Sequence, residues 1–596
     1  MKFKTKPQVA LLFYKVSMGL FENIRVVSTK LGLTAKLIQV LGYVSLVLAA
    51  AGVGWLLILP IEGQYRNTYI SENALMPAQA NTYFRESEWN MVRGYRDHIH
   101  DLEFASEEER TRTVMSWFED IGLTTAKHDW ELRANDELKA NGTNVYSILH
   151  APRGDHTEAM VLVAPWINKD GQFNDGGVAL VVALARYFKK WSLWSKNVIF
   201  VLSSDSHFAL RSWVSAYHTS LENTAGQIEG AIVLDYPDKS DYVDAIEIFY
   251  EGLNGQQPNL DLVNSAVLIS SHEYLRVYIQ DMNLQAMKYI DRAIVLGRGI
   301  FSQLTSGMKP GPGSENFSGW RIDAITLRAR GVHGPMDITT FGRVAESLFR
   351  SVNNLLEHFH QSFFFYFLLT PKRFVSIGTY LPAAMLVSNS FSVMAIYIII
   401  TTRRDTFRTM ILIPGFVLTS TLGLSLSLIG YHFLHVTSSQ VALSLYALCG
   451  LTLLLPVAIR LITRQNPVSL VLLNYLHAIS LIFHGLILST LSTVNFSLGL
   501  TVGLVTLPLA WLKPGFHRFN VVLLALSCPF TGLSLLASFL DIDTTTLIQN
   551  LLWGWRGLHL WTGAVIVGVW IPIWITGVII SFATIGQKVD LEKKKA

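Results

Sequence analysis

The chain has 596 residues, of which 50% are hydrophobic and only 15% charged, and its mean hydropathy is +0.34. These values indicate a polytopic membrane protein with room for more than one domain. A net charge of +4, dispersed along the chain, excludes a nucleic-acid reader. Both cysteines, Cys449 and Cys528, lie in apolar runs, so no intrachain disulfide supports a part outside the membrane.

Residues 1–36 form a basic leader carrying Lys2, Lys4, Lys6, Lys15, Arg25, Lys30 and Lys36. The apolar run Leu37 to Leu59 follows, and roughly 20 such residues suffice to cross a bilayer. A signal cleaved near Ala49–Ala51 is the rival reading. The leader is long and the run exceeds a signal core, so residues 37–60 are expected to be an uncleaved anchor.

Residues 61–361 alternate strand-like and helix-like patterns. Strands are expected at Asn144–His150, Ala159–Ala164, Asn197–Ser203, Gly230–Asp235, Ala245–Tyr250 and Ala324–Arg330. Helices are expected at Asp175–Lys190, Phe208–Ser220, Leu260–Ser271, Asn283–Leu304 and Phe341–His360. Continuous apolar strands such as VIFVL and AIVL are buried on both faces, which predicts one α/β domain with a largely parallel sheet. In such sheets functional loops gather at the carboxyl ends of the strands.

At those ends stand Trp166 and Asn168, Asp205, Ser206 and His207, Asp235, and, past the last strand, His333 and Asp337. The stretch VLVAPWINKDGQFNDGGVALVVALARYF, Val161 to Phe188, has the strand–loop–helix shape of a metal-binding loop. Its loop offers Trp166, Asn168 and Phe173 where ligands would be expected. Zinc needs His, Asp, Glu or Cys converging at roughly 2.0–2.3 Å. Asp235 and His333 could supply two ligands and Asp205 a third. The plainer reading makes Asp235 a loop cap and His333 a turn residue beside Gly331 and Gly334. Asn141-Gly-Thr and Asn316-Phe-Ser are candidate glycan acceptors.

Residues 362–378, beginning SFFFYFLLTPKRF, are too short and too aromatic for a span and are expected to lie as an interfacial amphipathic segment. Residues 379–582 divide into seven apolar runs: Tyr380–Ile400, Thr409–Phe433, Val441–Ile462, Val468–Ile487, Val494–Leu512, Val521–Leu540 and Leu558–Phe582. Basic loops at Arg403, Arg404 and Arg408, at Arg464 and at Lys513–Arg518 alternate with turns lacking Lys and Arg, His435–Gln440 and Asp541–Asn550. The positive-inside rule then gives eight spans with both termini cytosolic and residues 61–361 lumenal. In the cytosolic tail, 583–596, Lys593 and Lys594 match a dilysine retrieval signal of the endoplasmic reticulum; an ordinary positive-inside cluster is the plainer alternative.

No Asp or Glu lies inside the runs, which speaks against a proton-coupled transporter. Asn474, His477 and His484 share one run and are available to a partner helix or a lipid headgroup. In the last run Pro572, within Trp570-Ile-Pro-Ile-Trp574, removes one intrahelical donor and kinks the helix.

Five strings together resemble the GPI-anchor attachment protein family, the membrane subunit of the GPI transamidase. They are YISENALMPAQANTYF, IVLDYPD, EGLNGQQPNLDLVN, WRIDAITLRARG and DITTFGRVAESLFRSVNNLLEHFHQSFFFYFLL. The resemblance implies a lumenal body like a zinc aminopeptidase. By that pattern Trp166 and Asn168 stand at the His and Asp positions and Phe173 at the bridging Asp. Asp205 and Ser206 replace paired glutamates, while Asp235 and His333 survive. Such a set cannot build a two-zinc centre, so neither metal nor cofactor is expected. What the resemblance implies instead is a noncatalytic subunit that presents the GPI lipid to a proprotein held by a caspase-like cysteine protease. Pro572 matches a proline linked to GPI recognition, and Asn474 and His477 join it as candidate lipid contacts. The competing class is a metal-dependent enzyme that forms the amide bond itself through Asp235 and His333.

Overall fold

The computed structural model describes residues 33–79, 82–133, 139–237, 239–282, 288–402, 423 and 454–586. Lys593 and Lys594, the run Thr409–Phe433 (Gly423 apart) and most of Val441–Ile462 lie outside the described residues.

Helix α1 (Leu33–Ile58) is followed by a two-residue strand β1 (Arg66–Asn67), and then by α2 (Glu86–Asp101) and α3 (Glu107–Ile121). The main sheet is built from β2 (Thr124–Arg133), β3 (Lys139–Leu149), β4 (Glu158–Ile167), β5 (Asn197–Asp205) and β6 (Gln227–Asp235), with α4 (Asp175–Lys189) and α5 (Phe208–Thr219) as crossovers. After a short β7 (Tyr242–Val243) come β8 (Ala245–Phe249), α6 (Leu260–His272), β9 (Arg276–Ile279), α7 (Tyr289–Thr305) and β10 (Asp323–Arg330). The spatial order is β2-β3-β5-β4-β6-β10-β8-β9. The four central strands, β5, β4, β6 and β10, are parallel, whereas β2, β3 and β8 join antiparallel to their inner neighbours.

The apolar run of β4 serves both faces. Met160, Leu162 and Ala164 join the core under α4, and Ala159, Val161 and Val163 join the core under α5. That double burial is the reason the strand lacks polar alternation. Helices α2 and α3 and, in the main sheet, strands β2 and β9 lie outside the expected set. Helices α2 and α3 are mostly polar, and β2 pairs at the sheet edge with β3 over ten residues.

Helix α8 (Ile338–Asn353), preceded by β11 (Met336–Asp337), ends seven residues before the expected His360. Residues 362–378 are the stretch expected as an interfacial amphipathic segment. They form a hairpin, β12 (Tyr366–Thr370) and β13 (Arg373–Ser376), whose first strand is wholly buried. The Thr370-Pro-Lys turn closes it, with the Lys372 N–H donating to Thr370 Oγ1 at 3.1 Å. Strand β1 pairs antiparallel with β13, so the chain leaving the first apolar helix is stitched to the chain entering the second.

Helix α9 (Ile377–Thr401) starts directly after β13 and packs on α1, tied by Ser45 Oγ to Ser390 O and Trp55 Nε1 to Thr379 O, both at 2.8 Å. Beyond it lie α10 (Leu470–Val494), α11 (Phe496–Thr506), α12 (Arg518–Leu526), α13 (Pro529–Phe539), α14 (Thr544–Trp553) and α15 (Thr562–Phe582). Among the described residues four helices are long and apolar enough to cross a membrane, the main apolar part of α1 with α9, α10 and α15, and the α12–α13 pair, bent by 40°, would make five. The run Val494–Leu512 is shorter than expected for a span. Its apolar helix covers Phe496–Trp511 and folds back along α10.

The α/β domain and the bundle share one core. Leu296, Met308, Phe367, Leu369 and Val375 cluster with Tyr380, Leu488 and Phe496 of the apolar helices. Polar bonds reinforce the contact: Asn254 accepts from Trp561 N at 2.8 Å and donates to His559 O at 2.9 Å, and Gln303 Oε1 accepts from Ser497 Oγ at 2.6 Å. Gly255, at φ +82°, lies so close that a Cβ would stand 2.9 Å from both the Asn495 Cα and the Val494 carbonyl oxygen.

Replacing Gly255 by Val should therefore loosen this junction. The left-handed backbone alone costs a residue with a Cβ about 1–2 kcal/mol, and the clash adds to it. Hydrogen exchange should rise at residues 252–256 and 494–498 while β4–β6 stay protected; unchanged exchange at the junction would contradict the close approach.

Candidate functional site

The carboxyl ends of β4, β5, β6 and β10 meet over one buried carboxylate. Asp235 ends β6 at 2% exposure, and the parallel register sets Arg328 of β10 directly beside it. Its Oδ1 accepts from Asn168 Nδ2 at 3.0 Å, and its Oδ2 lies 3.4 Å from Arg328 Nε. The same guanidinium reaches Asp170 Oδ2 at 2.5 Å and Gln172 Oε1 at 3.1 Å. Burial pushes the Asp235 carboxyl above its ordinary range, and the guanidinium and the Asn168 amide pull it back. For Arg328 burial opposes the charge, but Asp235 and Asp170 outweigh it and hold the guanidinium protonated.

The other expected ligand positions are occupied by packing and caps. Trp166 and Phe173 pack 5.7 Å apart, and the Arg110 guanidinium lies over both rings. Asp205 Oδ1 accepts from the N–H groups of His207 and Ala209, which spends it on the start of α5. Ser206 Oγ donates to Gly311 O at 2.8 Å. His333 is exposed on the loop after β10 and forms no hydrogen bond or ion pair with the described residues. Among the described residues no three His, Cys, Asp or Glu side chains converge as metal ligands. An indole, a phenyl ring, an amide already bonded to Asp235 and an arginine beside that carboxylate do not fit a divalent cation, because the set brings positive charge where a metal needs negative.

Two residues of this site were missed by reading the sequence. Arg328 is one; an arginine inside the buried run AITLRAR is itself the signal, since such a charge needs a buried partner. Asn174 is the other. It caps α4 by accepting from Gly177 N, donates to Pro165 O and Leu234 O, and accepts from Tyr236 N at 2.6 Å. The join between the ends of β4 and β6 thus belongs to Asn174, next to the expected Phe173, and it joins backbone to backbone.

A family model described as Gaa1-like, GPI transamidase component, matches residues 141–578. The chain is 38% identical to the GPI transamidase component GAA1 of Saccharomyces cerevisiae, over 97% of this chain and 100% of that protein. It belongs to the Gaa1-like family of GPI transamidase components. The Schizosaccharomyces pombe GPI transamidase component gaa1 is 31% identical over 86% of this chain and 88% of its own length. Two solved structures also align. A zinc-dependent exopeptidase from Parabacteroides distasonis covers 46% of this chain and 100% of its own at 12% identity and TM-score 0.31. A glutaminyl cyclase from Bacteroides thetaiotaomicron covers 46% and 100% at 13% and 0.29. At such scores they carry no argument, and the α/β architecture rests on the sheet described above. As a transamidase component the chain works in a complex with other subunits.

Two strings that carry the resemblance meet in space. Asp261, in NGQQPNLDLVN, receives the backbone N–H groups of Ser71 and Glu72, in SENALMP, at 2.9 and 2.8 Å. Glu72 Oε1 in turn accepts from His360 N and Gln361 N, just ahead of the hairpin.

In the bundle His477 Nε2 bonds Leu509 O at 2.9 Å and His484 Nε2 bonds Thr506 Oγ1 at 2.7 Å, so both rings join α10 to the segment folded back on it. Asn474 is half-buried. Pro572 is buried in α15 behind a widened turn, Ile566–Trp570, in which Ile571 N reaches back to Ile566 O; the wider turn relieves the clash of the proline ring. Trp570 and Trp574 donate to Ser527 O and Leu524 O, both at 2.9 Å, at the break between α12 and α13. Gly532 leaves the room: a Cβ there would lie 2.4 Å from the Trp570 ring. Gly423 adjoins the Pro572 ring at ordinary contact distance, since a Cβ on that glycine would stand 3.4 Å from Pro572 Cγ.

Asn316 cannot carry a glycan in the folded chain. It is 0% exposed, and its amide donates to Ser206 O at 2.8 Å and Gly313 O at 3.0 Å. Asn141 is exposed on β3.

Arg328→Gln should leave Asp235 buried without its cation, at a cost of about 3–5 kcal/mol. The thermal unfolding midpoint of the detergent-solubilised chain should fall, and adding Asp235→Asn should restore part of the loss. An unchanged midpoint in the single variant would show that the pair is not a buried charge pair in solution.

Proposed function

We propose that this chain is a noncatalytic subunit of the GPI transamidase that binds and presents the GPI lipid and scaffolds the complex. The observation that carries this reading is Arg328 seated against Asp235, which leaves no metal-ligand set among the described residues for the chemistry an aminopeptidase-like body would otherwise perform. The nucleophile then belongs to a partner, a caspase-like cysteine protease, and the second substrate is a proprotein with its C-terminal signal. Holding two substrates in register can supply much of the rate of a two-substrate reaction.

In this reading the chain sits in the endoplasmic reticulum membrane with eight spans, both termini cytosolic and the α/β domain lumenal. Lys593 and Lys594 act in retrieval, and Asn141 is the glycan acceptor. The shared core between domain and bundle supports the role, because a lipid-borne amine must be held at a fixed height above the bilayer. Pro572 and Asn474 are the lipid contacts. The ring of His477 is engaged within the helix pair, which makes it a support for Asn474 one turn away.

Pro572→Leu tests the lipid role. A proline inside a helix costs about 3 kcal/mol, so its removal should straighten α15 without unfolding it. The expected result is normal co-purification of the other subunits, less GPI recovered with the complex, and accumulation of unprocessed proprotein. Normal GPI recovery would make Pro572 a packing residue against Gly423, and loss of the subunits would place it at a protein interface.

A further inference from the structure

The end of the bundle remote from the α/β domain holds a cavity of 760 Å³ lined by the helix at residues 454–465, the loop after Leu512 and the end of α15. It is remote because α10 reaches the domain at its other end, where Asn495 meets Gly255. The walls are built rather than incidental. Thr463 Oγ1 accepts from Thr584 N at 2.9 Å, Gly515 N donates to Ile580 O at 2.9 Å, and Asn520 Nδ2 donates to Lys513 O at 2.6 Å, which locks the loop that carries Phe516.

Two arginines one helical turn apart, Arg460 and Arg464, line this cavity. Arg460 lies over the Phe516 ring at 5.5 Å, and Phe516 packs on Phe582 at 5.8 Å. Lys513 and His517 stand on the same loop, and Arg518 opens α12 directly after it. Arg460, Arg464, Lys513 and Arg518 have no carboxylate partner among the described residues, and the only acids between residues 454 and 586, Asp541 and Asp543, precede α14, whose Asn550 bonds Met308 on the domain side. Beside the arginines Val457, Leu461 and Phe516 expose 55%, 60% and 54% of their surfaces. A pocket that joins guanidinium groups unmatched by any carboxylate among the described residues to an open apolar wall at the end of membrane helices has the chemistry of a lipid site with an anionic head.

We propose that this cavity binds an anionic phospholipid of the leaflet opposite the α/β domain. Its phosphate lies between Arg460 and Arg464, and its acyl chains run along Val457, Leu461 and Phe516. Arginine suits the task because its planar fork pairs two phosphate oxygens at once. The site is distinct from the proposed GPI contacts at Pro572 and Asn474 and does not depend on them.

The test uses the full chain in its complex, reconstituted in phosphatidylcholine nanodiscs with a trace of photoreactive phosphatidic acid or of photoreactive phosphatidylcholine. The phosphatidic acid probe should label peptides within residues 454–466 or 513–519. Arg460→Gln with Arg464→Gln should lower that labelling roughly tenfold or more, since each basic residue adds to the attraction of an anionic lipid. Arg460→Lys with Arg464→Lys should keep most of it, which separates charge from misfolding. Equal labelling of the Gln variant, or equal labelling of these peptides by the phosphatidylcholine probe, would overturn the proposal. So would loss of labelling in excess inorganic phosphate, which would make the site one for free phosphate.

Discussion

The carboxylate of Asp261 holds together three parts of the chain that are far apart in sequence. It is fully buried at the start of α6 and accepts two backbone N–H groups from the segment that leaves the first apolar helix. Glu72 of that segment then fixes residues 360–361, and β1 pairs with β13, so the second apolar helix leaves the domain beside the first. Tyr65 closes the same corner, with the guanidinium groups of Arg292 and Arg373 at 5.3 and 5.1 Å from its ring. A buried N–H group such as that of Glu72 costs about 1–3 kcal/mol when left without an acceptor, which favours this arrangement of the corner.

That rigidity gives the α/β domain its use. Once the domain and the bundle share a core, the carboxyl ends of the central strands cannot wander relative to the membrane helices. The site at those ends is itself spent on structure. Asp235 faces an arginine, Asp205 caps α5, and Asn174 ties β4 to β6. A charge pair such as Arg328–Asp235 adds little net stability over a well-packed apolar pair, but breaking one half of it is costly. The Arg328–Asp235 pair is therefore held as it is by the penalty for breaking it.

The central strands and crossover helices were legible in the sequence because their apolar runs are long and uninterrupted. Helices α2 and α3 were not, because charge dominates them; the Ser106-x-x-Glu109 spacing was the available sign, and Ser106 Oγ does accept from Glu109 N at 3.2 Å. The hairpin at 366–376 hid behind its aromatic content, although the Thr-Pro-Lys turn marked it. That Trp166, Asn168, Phe173 and Ser206 stand at ligand positions is an expectation carried by the resemblance alone. The pairing of Arg328 with Asp235 was not legible, because it depends on strand register across β6 and β10, which no local pattern encodes. The burial of Asn316 is likewise tertiary: its one-turn helix is pressed against Ser206.

The central claim is that the α/β domain of this transamidase component supports the reaction without performing it. Elemental analysis of the purified, active complex, with zinc counted per copy of this chain, tests it most directly. The account predicts no zinc that disappears on Asp235→Asn with Arg328→Met, a pair of changes that removes both charges together. Stoichiometric zinc in the unaltered complex, lost in that double variant, would contradict it.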